Sequence, residues 1–153
     1  MSFEHVKQYF QSVNAADHLL TFETSSATVE LAAQAVGCEP ARIAKTLSFL
    51  TEEGPVLIVA AGDVKIDNQK YKAYFHQKAR MIPRDEVEAY IGHEPGGVCP
   101  FAVKDGVRVF LDASLQRFDT VYPAAGSPNS AAKLTLKELE TLSQCCHWID
   151  VCK

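Results

Sequence analysis

The sequence predicts a single α+β domain in which a mixed β-sheet carries flanking helices. Three observations predict it. Helical and strand periodicities interleave irregularly along the chain, which points to a mixed sheet. The 153 residues are 47% apolar and 22% charged, ordinary globular values that allow one full hydrophobic core. No internal repeat, low-complexity tract or Gly/Ser linker divides residues 1–153, so they read as one domain.

The elements follow in order. Phe3, Val6, Phe10 and Val13 recur at helical spacing, which predicts an amphipathic helix over 3–16. Leu19–Glu23 reads as a short strand. Ser25, Ser26 and Thr28 offer hydroxyl caps for a helix through Val36, and Gly37 supplies a left-handed stop. Ile43–Leu50 and Pro55–Ala61 are apolar, β-branched runs joined by Thr51-Glu52-Glu53-Gly54, the pattern of a hairpin. Asp67 can cap a helix that reaches Phe75. A strand is expected near Ala79–Ile82, then a helix from Pro83 to Ile91 closed by Gly92. Val107–Leu111 and Thr120–Ala124 read as strands. Thr135 and Glu138 stand at capping-box spacing, so a helix should run from Leu136 to about Ser143, followed by a last strand at His147–Val151.

Several function classes are excluded or disfavoured. The longest clean apolar run, Val56–Ala61, falls far short of the roughly 20 residues of a membrane-spanning helix. Met1-Ser2-Phe3-Glu4-His5 lacks the basic stretch and apolar core of a signal peptide, so the expectation is a cytoplasmic protein with no membrane partner. Five cysteines are an odd number for a disulfide framework. Cys145-Cys146-His147 hints at zinc, but no second ligand pair accompanies it, so no metal is expected and the thiols read as small apolar residues. The net charge is −4, yet Lys65, Lys70, Lys72, Lys78, Arg80 and Arg84 crowd one segment with a single acid, Asp67. Such a segment is either a solvated helix face or a local seat for a phosphate backbone.

Lys45 is the most informative position. In the strand around it, alternation puts Ile43, Lys45, Leu47 and Phe49 on one face and Ala44, Thr46 and Ser48 on the other. The first face is apolar except for the lysine, and an unpaired ammonium there costs several kcal/mol. Its stem snorkels to the sheet rim, its charge meets a buried carboxylate, or it lines a cavity for an anionic or carbonyl ligand.

The second feature is the loop Gly92–Phe101, too rich in Gly and Pro for helix or strand. Gly96 and Gly97 let backbone N–H groups approach a ligand closely, and Pro100 fixes the loop end. Such amides can serve an oxyanion or phosphate, although a Gly-Gly pair alone is equally a plain connection. Cys99 raises a thiol nucleophile, which would need His93 or His76 as a base.

Ala27–Ala33, Ile43-Ala44-Lys45-Thr46-Leu47 and Gly96-Gly97-Val98-Cys99-Pro100-Phe101, in this order and spacing, resemble the YbaK/prolyl-tRNA-synthetase-associated domain family. The resemblance runs from about Ser25 to Val151. It implies a strongly curved sheet and a free-standing aminoacyl-tRNA deacylase, a hydrolase that removes a wrong amino acid from the tRNA 3′ end in trans. A tRNA-Pro type carrying a small residue such as Cys, Ala, Ser or Thr is the implied substrate. It also implies that no cofactor is needed, that aminoacyl-tRNA is the partner, and that an aminoacyl-tRNA synthetase is a further one. The family's lysine falls on Lys45 and its G-x-x-x-P loop on Gly96 and Pro100, with a later glycine turn at Gly126. Lys45 and the amides of Gly96, Gly97 and Val98 become the catalytic set. Thr46, Pro100 and Gly126 become substrate-binding, and Lys65, Lys70, Lys72, Lys78 and Arg80 candidates for tRNA phosphates. The corresponding family position makes Cys99 no catalytic thiol. The alternative is a non-catalytic tRNA- or synthetase-binding module of the same fold.

Overall fold

The computed structural model describes residues 2–153. Helix α1 spans Ser2–Ser12 and leads through a short 3-10 turn into strand β1, Leu19–Thr21. Helix α2, Val29–Val36, starts where the Thr28 hydroxyl accepts the Leu31 N–H and stops at Gly37, φ 85°. Strands β2 (Ile43–Thr51) and β3 (Gly54–Ala61) form the expected hairpin, with Thr51 paired to Gly54 across the turn. Helix α3, Asn68–Phe75, is capped by the Asp67 carboxylate, which accepts the N–H groups of Gln69 and Lys70. Helix α4 (Val87–Ile91), β4 (Arg108–Asp112), β5 (Thr120–Pro123), β6 (Ser130–Ala132) and β7 (Leu134–Thr135) follow. The capping box of Thr135 and Glu138 is present and opens α5, Leu136–Ser143, ahead of β8, His147–Ile149.

Six strands form one curled mixed sheet in the order β7-β5-β2-β3-β4-β8, and β1 pairs with β6 in a two-stranded ribbon. β2–β3 and β5–β7 are antiparallel; β2–β5, β3–β4 and β4–β8 are parallel. β3 is therefore central and covered on both faces, which explains its unbroken apolar run. Leu57, Val59 and Ala61 join the main core, which also takes in Val6 and Phe10 of α1, Ile91 of α4 and Leu139 of α5. Val56, Ile58 and Ala60 pack on the other side with Tyr71 and Phe75 of α3.

The structure shortens several expected elements. α1 ends at Ser12, not 16, because Asn14 turns left-handed at φ 60°. Ala79–Ile82 makes no regular strand. Met81 forms a single bridge to Phe49, with the Leu50 N–H donating to Arg80 O and the Ile82 N–H to Ser48 O. Pro83 has no N–H with which to continue that ladder. The helix expected from Pro83 begins only at Val87, after a turn in which the Glu86 N–H donates to Pro83 O. β6 and β7 carry no strand signal in sequence, since Ser130-Ala131-Ala132 lacks β-branched and aromatic residues and β7 is only two residues long.

Candidate active site

The site grows from an interruption in the sheet. β5 pairs with β2 only at Ile43 and Ala44, and the next neighbour on that side is the Met81 bridge at Phe49. Between them the edge of Lys45-Thr46-Leu47 has no strand alongside it. A cavity of about 440 Å³ opens there, walled by β2, by the N-terminal end of α2 (Thr28, Val29, Ala32) and by Pro95, Gly96 and Val98. Tyr122, Ala124 and Ala131 complete the wall, and Arg84 and the exposed Met81 also line it. Among the described residues no carboxylate, imidazole or thiol lines it; its polar side chains are Lys45, Arg84, Tyr122 and hydroxyls such as Thr46, Ser48 and Ser130.

Lys45 neither reaches a carboxylate nor points away from the fold. Leu47 and Phe49 join the layer under α3 and Ile43 packs beneath α2, so the lysine between them sits at the seam of two helices and on the cavity wall. Its ammonium donates to the Val64 carbonyl. Asp63, the acid nearest in sequence to that carbonyl, is held by Arg117 at 2.6 and 3.0 Å. Burial pushes the Lys45 pKa down, opposed by the fields of Cys152, Asp63 and Glu30. An ammonium has three donors, so one carbonyl leaves capacity for a ligand. The hydroxyl of the next residue, Thr46, is buried with no partner among the described residues.

The glycine loop divides its tasks. The Gly97 N–H is already spent on Glu94 O at 3.0 Å, and Gly97 lies outside the cavity wall. A Cβ at Gly97 would stand 2.5 Å from Ser127 N and 2.6 Å from the Gly126 carbonyl carbon, so this glycine seats the loop on the turn at Gly126. Gly126, with φ 96°, and Pro100 are both buried and do not line the cavity. The amides of Gly96 and Val98 make no backbone hydrogen bond among the described residues and belong to residues that line the cavity. Of the seven residues the sequence points to, Lys45, Thr46, Gly96 and Val98 meet at the cavity, whereas Gly97, Pro100 and Gly126 do not line it, Gly97 packing on the Gly126 turn.

The remaining candidates lie elsewhere. Cys99 does meet His93, Sγ to Nε2 at 3.4 Å, but both are fully buried in the core, and burial pushes the thiol pKa up to about 12. Burial also lowers the His93 pKa. A thiol so hard to ionise and so enclosed is no nucleophile. Lys65, Lys70, Lys72, Lys78 and Arg80 are all exposed. Lys72 and Lys78 flank a groove with Asn68, Gln69 and Ala79, while Lys70 is tied to Asp150 at 3.0 Å and to Cys152 O at 2.9 Å. From that basic segment only Arg84 reaches the cavity, a position that charge counting could not single out. Among the described residues, no group of three or more His, Cys, Asp or Glu side chains is placed to hold a metal ion, and no helix is long and apolar enough to cross a membrane.

The curled mixed sheet thus brings a lysine and two glycine-loop residues with unspent amides to one lateral gap. The chain belongs to the aminoacyl-tRNA editing domain family, whose model matches residues 23–142. It is 53% identical to the uncharacterized protein YwhH of Bacillus subtilis, over 100% of this chain and 98% of that one. It is 32% identical over 95 residues to the proline–tRNA ligase of Limosilactobacillus fermentum, covering 58% of this chain and 17% of the ligase. The chain thus spans under a fifth of that ligase. A crystal structure described as a candidate trans-editing enzyme for prolyl tRNA synthetase superposes with a TM-score of 0.89 at 27% identity, over 99% of this chain and 97% of that one.

Proposed function

We propose that the chain is an aminoacyl-tRNA deacylase acting in trans, which hydrolyses the ester between a small amino acid and the 3′ end of a tRNA of the tRNA-Pro type. The observation that carries this reading is the convergence of Lys45, Thr46, Gly96 and Val98 on one cavity at the gap in the sheet. Near-full-length matches on both sides favour a domain that works outside a synthetase.

An aminoacyl ester is already activated, so positioning and charge stabilisation are what the site must supply. Water adds to the ester carbonyl, and the amides of Gly96 and Val98 receive the developing oxyanion. Each such donor is worth about 3–4 kcal/mol in other hydrolases. The bond between the carbonyl carbon and the ribose oxygen then breaks, the ribose oxygen takes the proton that the water loses, and a free amino acid and an uncharged tRNA leave. With no imidazole, carboxylate or thiol on the wall among the described residues, a group of the substrate itself relays that proton. Lys45 works as a cation, orienting the terminal phosphate or the ester carbonyl by charge. The small side chains Ala44, Ala124 and Ala131 suit Cys, Ala, Ser or Thr on the acyl group. A second sieve of this kind is needed because one methylene gives only about 1–3 kcal/mol of discrimination during charging. Lys72 and Lys78, with Arg84 at the cavity, are the candidates for acceptor-stem phosphates.

The test is release of amino acid from a panel of mischarged tRNAs. Release of a small amino acid from tRNA-Pro at catalytic enzyme concentration is expected. No release of any amino acid at micromolar protein would make the chain a non-catalytic tRNA- or synthetase-binding module.

A further inference from the structure

A second cavity, also about 440 Å³, shares no lining residue with the first. It is bounded by Arg108 at the start of β4, Phe110, His147 at the start of β8, Tyr74, His76 at the end of α3, and Glu53 in the β2–β3 turn.

Arg108 is poorly satisfied by its own fold. Of its five N–H donors, one reaches Thr51 Oγ1 at 3.5 Å, the limit of a hydrogen bond. Its Nε is shut off from solvent with no partner, and no carboxylate lies within ion-pair distance among the described residues. The guanidinium carbon stands 5.7 Å from the centre of the Phe110 ring, which holds it in place. Behind it the hydroxyl of fully buried Tyr71 also has no partner. Arg108 as a whole is half-buried, so its enclosed Nε is left short of an acceptor while the rest of the fork faces the cavity, where an anion would meet it.

The rest of the cavity narrows the class of anion. His76 and His147 add two imidazoles that donate hydrogen bonds and carry positive charge when protonated. Tyr74, 41% exposed, offers a ring to an aromatic group. Glu53, the one acid on the wall, repels a bare anion but accepts from hydroxyls. The volume is that of a small-molecule site, larger than one phosphate needs. We propose that this cavity binds a nucleotide, free or within an RNA chain, with its phosphate on Arg108 between His76 and His147, its ribose hydroxyls on Glu53 and its base on Tyr74.

Backbone amide NMR titration of the full chain tests this with AMP, adenosine, inorganic phosphate and uncharged tRNA. AMP is expected to shift the amides of Glu53, His76, Arg108 and His147, in wild type and equally in K45A, with adenosine binding far more weakly. Arg108→Gln should weaken AMP by about tenfold or more, the loss expected for a charged phosphate contact. Should that variant fail to fold, Arg108→Lys, which keeps the charge but loses the fork, and His147→Gln give the same test, each expected to weaken AMP measurably. If only tRNA shifts these amides, and the salt slope of tRNA binding falls by about 1 in Arg108→Gln, the nucleotide is one in an RNA chain. Absence of shifts with both AMP and tRNA, or folded variants that bind both like wild type, would overturn the proposal.

Discussion

At the scale of the residue, Lys45 carries the reading, and its environment makes two demands on experiment. Replacing it with alanine is expected to cut deacylation by about 100-fold or more, as loss of a charge-stabilising group does, while Cys99→Ala leaves turnover close to wild type. Initial rates on a mischarged tRNA decide this, and the reverse pattern would refute the site. Burial lowers the Lys45 pKa, so activity should fail on the alkaline side before the range in which a free lysine loses its proton. Lys45→Arg, charged to far higher pH, should lose that alkaline limb even if its maximum rate is lower. For stability the sign is opposite. In the window below the ordinary lysine pKa the unfolded chain binds more protons here than the folded one, so this group's contribution to stability rises with pH. Urea midpoints of wild type and Lys45→Met, followed from neutral to alkaline pH, should therefore converge or cross in favour of wild type. Alternation alone made Lys45 legible as the one charge on an apolar face. Its partner was not legible, because Val64 lies nineteen positions on and its carbonyl arrives only when the chain turns beyond β3.

At the scale of the element, the glycine loop and the turn at Gly126 form one unit. Gly97→Ala forces a Cβ onto backbone atoms 2.5 and 2.6 Å away, which cannot yield as a flexible side-chain tip would. The loop must lift, and a displacement of about 1 Å at a reacting centre costs up to roughly 100-fold in rate. A large fall in kcat with a modest fall in Tm is the expected outcome, and an unchanged kcat would mean that the amides of Gly96 and Val98 are not the oxyanion donors. The need for small residues in this loop was written in Gly96-Gly97. The division of tasks was not, since Gly97 meets Ser127 only across the fold. The helix caps tell the other side. Thr28, Asp67 and Thr135 cap within three residues of themselves; Asp67 and Thr135 stand where the sequence puts the cap, and Thr28 is the one of three offered hydroxyls that the fold uses as the cap.

At the scale of the whole molecule, the C-terminal segment closes the fold. Lys65 and Lys153 exchange backbone hydrogen bonds, and the Asp67 N–H donates to Val151 O. Buried Asp112 accepts the N–H groups of Val151 and Ser114, each at 2.9 Å. Asp112→Ala leaves two enclosed donors without an acceptor, a loss of about 2–4 kcal/mol measured by urea unfolding. A change below about 0.5 kcal/mol, the range of ordinary surface substitutions, would show that the clamp contributes nothing. Local pattern settled the class of fold, the caps, the central hairpin and the inward lysine, because each depends on periodicity or on groups a few residues apart. Tertiary packing alone decided that β5 stops short on β2 and opens the cavity, that Gly97 braces the loop with its N–H spent on Glu94 O, and that the Nε of Arg108 is left without an acceptor. Those outcomes depend on which distant backbones come within a few ångströms of each other, and no spacing along the chain encodes that distance.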